Sequence, residues 1–290
     1  MMMKMRNKNT LLVGLLCILM SACSTTKNLP EGETLYTGID KLEVVNEDKT
    51  LAGITALTEV EAALAYAPNN AIFGSSSLRW PVPFGLWVYN GFEKYQDKKG
   101  IGRWIFDHLG KSPVLMSSVN GETRAKVATN LLHDYGYFNG SVSYKEVPQK
   151  NPKEAKVSYV IDMARPYFLD SIAYLKYPHY ADSLIQSTRS LSVLKSEENF
   201  SVIKLEEERQ RLSNLFRNHG YYYYRPEFTS YRADTLQKSG YVSLQVVPRN
   251  GIPAEAKKQY YIGNTSVYLT GYDNEPPTDT LRLRDRKSVV

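Results

Sequence analysis

Two stretches of this chain can be laid over one another, and that repeat limits the possible folds more than any other feature. The first reads Asn130-Leu131-Leu132-His133-Asp134-Tyr135-Gly136-Tyr137-Phe138, the second Asn214-Leu215-Phe216-Arg217-Asn218-His219-Gly220-Tyr221-Tyr222. Helical spacing leads into each: Val127, Leu131 and Tyr135 in one, Leu205, Leu212, Leu215 and His219 in the other. Gly136 and Gly220 fall where a helix needs a left-handed residue just past its end. A strand pair follows each glycine. Its second member, Ala155–Met163 or Gly240–Val247, alternates apolar residues so that Val157, Tyr159 and Ile161 match Val242, Leu244 and Val246.

The unit extends upstream. Copy one begins with a strand at Leu35–Val45 and a helix around Ala56–Tyr66 that turns Leu57, Val60 and Leu64 inward. Copy two begins with a strand at Tyr167–Leu175, a short helix near Ala181–Thr188 and a long one at Asn199–His219. The order strand, helix, helix, strand, strand predicts an α+β fold in tandem, each unit a three-stranded mixed sheet with two helices over one face. A length of 290 residues suits two such domains. They are expected at 35–164, with an insertion at about 68–112, and at 165–249, while a strand at Gln259–Leu269 opens a third copy within 258–284. With 23% charged and 12% aromatic residues, a disordered chain is excluded.

The N-terminus has a different grammar. Lys4, Arg6 and Lys8 precede an apolar run from Leu11 to Met20, then Ser21-Ala22-Cys23. The run is about half the ~20 residues that span a bilayer, so residues 1–22 read as a cleavable signal peptide. Removing its three cations takes the formal charge from +6 to +3. No Lys/Arg block stands elsewhere, and nucleic acid is not an expected partner. Leu19-Met20-Ser21-Ala22-Cys23 resembles the bacterial lipobox, which implies that Cys23 becomes the first mature residue and carries covalent lipid, palmitate included. Two or more acyl chains anchor stably where one binds only marginally. Ser24 in place of Asp, and no acidic cluster in Thr25-Thr26-Lys27-Asn28, resemble neither an inner-membrane retention signal nor a surface-export signal. The expected address is the periplasmic face of the outer membrane, with residues 23–34 as a tether.

The repeat resembles the POTRA domain, the periplasmic module in front of outer-membrane assembly barrels. Gly136-Tyr137-Phe138 and Gly220-Tyr221-Tyr222, each closing a helix before a strand pair, carry the match. Together with the lipobox, Asn28-Leu29-Pro30-Glu31-Gly32-Glu33 and Leu35-Tyr36-Thr37-Gly38 resemble the lipoprotein branch of the BamA/TamA family known as TamL. Pro68-Asn69-Asn70, Phe73-Gly74-Ser75, Arg79, Pro81 and Leu86-Trp87-Val88-Tyr89-Asn90 resemble that family's insertion in its first POTRA. The resemblance implies a translocation and assembly module that inserts outer-membrane proteins, its partners being unfolded outer-membrane proteins and a TamB-like periplasmic protein. It also implies a C-terminal membrane barrel, of which this sequence shows no sign. Asp285–Val290 reads as a translated sequencing adapter, so an N-terminal fragment is expected, the alternative being a naturally short, barrel-less relative.

In POTRA domains the strand after the second helix lies at the sheet edge. That implies substrate or partner edges at Tyr137–Val147, with Tyr137, Phe138, Ser141, Val142, Ser143 and Tyr144, and at Tyr221–Tyr231, with Tyr221, Tyr222, Tyr223 and Tyr224. Pro226 inside the second edge keeps part of it from pairing. Asp-Ser/Thr-aliphatic triplets at Ser171, Ser183, Thr235 and Thr280 resemble periplasmic O-glycosylation sites, although Asp-Ser/Thr is also ordinary turn chemistry.

No enzyme, metal or cofactor is expected. His108, His133, His179 and His219 lack metal-ligand spacing. Gly100-Ile101-Gly102 has Ile105 where a dinucleotide loop needs glycine, and Gly74-Ser75-Ser76-Ser77 lacks the pattern of a nucleophile elbow. Glu206-Glu207-Glu208 beside Arg209 and Arg211 reads as a solvated, ion-paired face. Trp80–Tyr89, an aromatic run broken by prolines, reads as packing over its own domain or as a docking or membrane-facing loop. The rival function is a lipid-anchored glycan-binding lipoprotein, prompted by 22 tyrosines.

Overall fold

The computed structural model describes residues 25–268 and 280–283. The expected signal peptide, Cys23 and the terminal residues 285–290 lie outside them. The chain divides into two compact units, one running to His133 and resuming over Tyr137–Arg165, the other taking Asp134–Gly136 and the chain from Pro166 onward.

In the first unit, β1 (Leu35–Val45) leads to α1 (Leu51–Leu64), then α2 (Phe84–Phe92), α3 (Ile101–Leu109), a helical turn at Met116–Val119, α4 (Gly121–Asp134), β2 (Ser141–Pro148) and β3 (Glu154–Asp162). The sheet order is β1-β3-β2, with β1 parallel and β2 antiparallel to the central β3. β3 is central because it alternates: Val157, Tyr159 and Ile161 are buried and face the helices. The helices meet them with Ala56 and Val60 from α1 and with Ala125, Ala128 and Leu132 from α4. Val127, expected on that face, is exposed, because alanines let α4 approach more closely through a neighbouring stripe. Thr50 caps α1, its Oγ1 accepting from the Gly53 amide at 3.1 Å. Arg124 closes the other end, its Nη1 donating to the Ala63 and Ala65 carbonyls at 2.9 and 3.2 Å, where the helix dipole favours a cation.

The expected tether is not free chain. Thr26 is buried, the Thr25 hydroxyl donates to the Glu154 carboxylate, and Asn90 of α2 donates to the Thr25 carbonyl at 3.2 Å. The proline-broken run is also partly ordered. α2 starts immediately after Pro83 and buries Leu86 and Val88, as own-domain packing requires.

The second unit repeats the plan: β4 (Phe168–Tyr174), α5 (His179–Ser187), α6 (Val202–Asn218), β5 (Thr229–Asp234) and β6 (Tyr241–Pro248), in the order β4-β6-β5 with β4 parallel and β5 antiparallel to β6. Val242, Leu244 and Val246 of β6 face Leu205, Leu212 and Phe216 of α6 in the core. Glu208 belongs to this buried stripe, which corrects its reading as solvated: it is 0% exposed. Its carboxylate accepts from Arg211 through Nε and Nη2 (2.9 and 2.6 Å), from the Tyr174 hydroxyl, and from the Val193 amide at 3.2 Å. Burial first, then the bond to Glu208, pushes the Tyr174 hydroxyl up to about 12.

Gly220, at φ +93°, ends α6 in the left-handed region, and Tyr221 then donates back to the Phe216 carbonyl at 3.0 Å. Gly220→Ala is expected to cost about 1–2 kcal/mol in thermal unfolding, the penalty of a Cβ in that region. The expected strand Gln259–Leu269 is shorter, β7 (Thr265–Tyr268), and pairs antiparallel with β8 (Thr280–Leu283). Residues 259 and 260 do other work: Gln259 and the Tyr260 amide bond the His219 and Gly220 carbonyls at 3.0 and 2.7 Å, completing the end of α6.

Candidate functional site

A three-stranded sheet has two edges, and these sheets close one of them. β1 carries two register shifts, and its start is bonded by the 114–116 segment, the Tyr36 amide donating to the Val114 carbonyl at 2.8 Å. Arg79 donates to the Thr37 carbonyl at 3.3 Å. In β4, Leu169 exchanges main-chain bonds with Glu197 and Glu198, both at 2.8 Å, and Arg189 donates to the Ile172 carbonyl at 2.6 Å. Bulges and covering segments are how sheets retire an edge.

β2 and β5 differ. Each pairs on one side only, in unbroken register. The Gln149 amide donates to the Glu154 carbonyl at 2.9 Å, so by antiparallel alternation the odd-numbered residues of β2 face β3 and Val142, Tyr144 and Glu146 face outward. The Val142 amide is taken by Thr129 Oγ1 at 2.9 Å, and Pro148 has no N–H to give. The open part of this edge is therefore Tyr144 and Glu146, two donors and two acceptors. In β5, the Arg249 amide donates to the Phe228 carbonyl at 2.7 Å, which turns Thr229, Tyr231 and Ala233 outward. Thr229 is buried, leaving Tyr231 and Ala233 as the open pair.

Each open pair contains a tyrosine whose ring is held by a helix. Tyr144 lies over the start of α4, where Gly121 leaves room: a Cβ there would come within 2.8 Å of the ring. The Tyr231 hydroxyl donates to the Leu205 carbonyl of α6 at 2.6 Å, and burial, then the charge of Glu208, pushes it far above the usual tyrosine range.

The structure moves six of the ten expected edge residues off the strands. Tyr137 and Phe138 precede β2, and Tyr221 to Tyr224 precede β5, which starts after a helical turn at Pro226–Phe228. The cause lies in the glycines. A left-handed helix end folds the next residue back onto the last turn, so that residue packs instead of extending. Tyr137 is 0% exposed and donates to Asp48 Oδ2 at 2.6 Å. Tyr221 stacks edge-on against Phe216 at 5.9 Å, and Tyr224 is buried with its hydroxyl 3.1 Å from Thr229 Oγ1. Tyr222 and Tyr223 remain exposed beside Tyr260. Ser141, Val142, Ser143 and Tyr144 do lie on β2.

Burial opposes ionisation of Asp48, but the bonds from Tyr137 and Thr50 prevail and hold its carboxyl below the ordinary 3.8. The unfolded chain thus binds this proton more readily. The stability contributed by Asp48 is complete above pH 3.8 and drains away as pH falls through its folded value. Acid unfolding of Tyr137→Phe should show a shallower pH dependence than the parent chain, measured by circular dichroism.

Tyr221 and Tyr224 also line a cavity of about 420 Å³ with Tyr177, Phe216, Lys176 and Arg249. Ser171, Ser183 and Thr235 are exposed; Thr280 starts β8. Among the described residues no group of three or more His, Cys, Asp or Glu is placed to hold a metal, and no helix is long and apolar enough to cross a membrane.

No family model matches this chain, and no curated protein matches it. Among solved structures it is similar to POTRA3-5 of BamA from Haemophilus influenzae, with TM-score 0.32 and 10% identity over 77% of this chain and 100% of that one. POTRA1-2 of the periplasmic domain of Omp85 from Anabaena gives TM-score 0.28 and 14% identity over 72% of this chain and 93% of that one. CdiB from Acinetobacter baumannii gives 0.24 and 10% over 83% and 37%.

Proposed function

We propose that the chain is a periplasmic POTRA-type arm of an outer-membrane protein assembly or translocation factor of the TamL kind, held at the membrane by lipid on Cys23. Its β2 and β5 edges take up unfolded outer-membrane protein strands, or a TamB-like partner, by strand addition. One observation carries this reading: in both units the strand after the second long helix ends the sheet with two outward residues, Tyr144 and Glu146 or Tyr231 and Ala233, while the opposite edge is bulged and covered. Main-chain bonds read no side-chain sequence, which suits a site that must accept many substrates. The glycan-binding alternative gains nothing comparable, since Tyr36, Tyr137, Tyr159, Tyr174 and Tyr224 spend their rings in the cores.

A photoreactive amino acid at Ser143 or Arg232, both exposed on the edge strands, is expected to cross-link nascent barrel proteins in cells. The exposed loop residue Leu236 is the control. Equal capture at all three positions would remove the edges from the mechanism.

A further inference from the structure

The insertion in the first unit holds a feature that strand addition does not use. α3 buries none of its nine residues. Ile101, Trp104 and Leu109 stand 79%, 56% and 43% exposed; helical spacing puts Ile101 and Leu109 away from Arg103 and Asp107, while Trp104 borders Asp107 and stacks on His108 with ring centres 4.9 Å apart. A different flank holds α3 in place. Phe106 packs 5.2 Å from the Tyr89 ring of α2, and Gly102 admits the Tyr95 ring, which a Cβ would meet at 2.8 Å. The apolar face is therefore presented by a supported helix.

Its surroundings are basic. Lys94 and Lys98 place their ammonium groups 5.1 and 5.5 Å from the Tyr95 ring centre, and Lys99 stands two residues before the helix, ahead of its N-cap Gly100. Residues 92–111 carry five Lys/Arg against three Asp/Glu. One of those cations, Arg103, is paired with Asp107 at 3.2 Å, along the polar side.

We infer that this helix lies on an anionic lipid surface, with Ile101, Trp104 and Leu109 at the boundary of headgroups and acyl chains and Lys94, Lys98 and Lys99 against the phosphates. A basic amphipathic helix with an exposed tryptophan is the form that binds in the membrane plane. A protein groove would also accept the apolar face, but two observations select lipid. Lys98 and Lys99 stand at the start of the helix, just before Gly100 and Ile101, where headgroup phosphates would meet them. The chain leading to Cys23 is also bonded to the same insertion: Asn90 of α2 donates to the Thr25 carbonyl at 3.2 Å, and Asn28 donates to the Asn90 carbonyl at 3.4 Å. Cys23 is two residues before Thr25, at most about 7 Å of extended chain. A nine-residue helix binds weakly alone, as does a single acyl chain, and two such signals side by side hold firmly. The anchoring role of Cys23 belongs to the proposed function; the helix face and its cations do not depend on it, and neither depends on the sheet edges.

All three tryptophans, Trp80, Trp87 and Trp104, lie in the insertion, so emission reports on it without a label. The acylated full chain carrying Trp80→Phe and Trp87→Phe is placed in vesicles of phosphatidylethanolamine and phosphatidylglycerol with a brominated phosphatidylcholine. Trp104 emission is expected to fall by about twofold relative to the same vesicles without bromine, as for a side chain at the acyl boundary. Lys98→Glu with Lys99→Glu, both exposed, should reduce that quenching in phosphatidylglycerol vesicles and not in vesicles of phosphatidylethanolamine and phosphatidylcholine alone. A chain without the acyl group should still show Trp104 quenching, at higher lipid. Protein that sediments with the vesicles while Trp104 stays unquenched overturns the inference. So does a blue-shifted but unquenched Trp104, the result expected if a second copy of the chain covers the face.

Discussion

Glu208→Ala is expected to destabilise the second unit by about 3–5 kcal/mol, the usual cost of stripping one partner from a buried ion pair. The carboxylate it removes is wholly inside the core and satisfies the Arg211 guanidinium, the Tyr174 hydroxyl and the Val193 amide together. Arg211 is only 16% exposed at its side chain, so its charge cannot turn to water without moving α6. The midpoint of thermal unfolding should fall by more than about 10 °C for a unit of this size. Glu208→Gln keeps the shape and one acceptor, and should lose less. Glu208→Leu with Arg211→Met removes both charges and should be more stable than Glu208→Ala, because no group is then left ionised and unpaired. If Glu208→Ala unfolds within about 1 kcal/mol of the parent, the network does not hold the unit together.

That network shows where the sequence could and could not be read. Three consecutive glutamates beside two arginines look like a solvated face, and for Glu206 that holds, its exposed carboxylate 2.9 Å from a half-buried Arg209. Glu208, however, falls in the stripe of Leu205, Leu212 and Phe216. A lone acid at an apolar helical position with Arg three residues later was a visible signal for a buried pair. The central strands were legible because period-2 alternation with β-branched residues has few other meanings, and Leu35–Val45 emerges with the bounds its pattern predicts. The glycine ends were legible too, at φ +89° for Gly136 and +93° for Gly220.

What followed the glycines was misread as strand because aromatic residues favour strands. The helix ends override that preference by turning Tyr137 and Tyr221 back onto their own last turns. The open edges were legible only as a place in the repeat. Which amides face outward depends on register, and a slip of one residue would exchange the two sets. Nothing in the sequence placed Thr129 on the Val142 amide. The insertion gave no period to read across Pro81 and Pro83, although α3 carries a plain amphipathic pattern over Ile101–Leu109.

The second large effect concerns the β2 edge. Tyr144→Pro removes an outward N–H and keeps the ladder to β3, since residue 144 donates nothing to that strand. Proline is tolerated on edge strands for this reason. Lys145→Pro deletes a ladder bond opposite Ser158 and should cost about 1–3 kcal/mol of stability, the penalty of a stranded partner. Binding should respond in the opposite order. Each main-chain bond to an added strand is worth about 0.5–1.5 kcal/mol, so Tyr144→Pro alone weakens peptide binding by about 2–12-fold before any clash of the ring with the incoming strand. Tyr144→Pro with Glu146→Pro removes both donors and should abolish pairing at this edge. Residual binding would then come from Tyr231 and Ala233, and the same pair of changes there should remove it. A chain that stays folded with prolines at all four positions and binds barrel peptides unchanged would leave the edges without a role.

The most direct measurement is residue-resolved amide exchange, with and without a peptide copied from an unfolded outer-membrane barrel strand. Exchange at Tyr144 and Glu146, or at Tyr231 and Ala233, should slow on binding, while the inward amides of Ser143 and Lys145, already bonded to β3, stay as they were. Saturating peptide that protects none of the four outward amides would contradict strand addition at these edges.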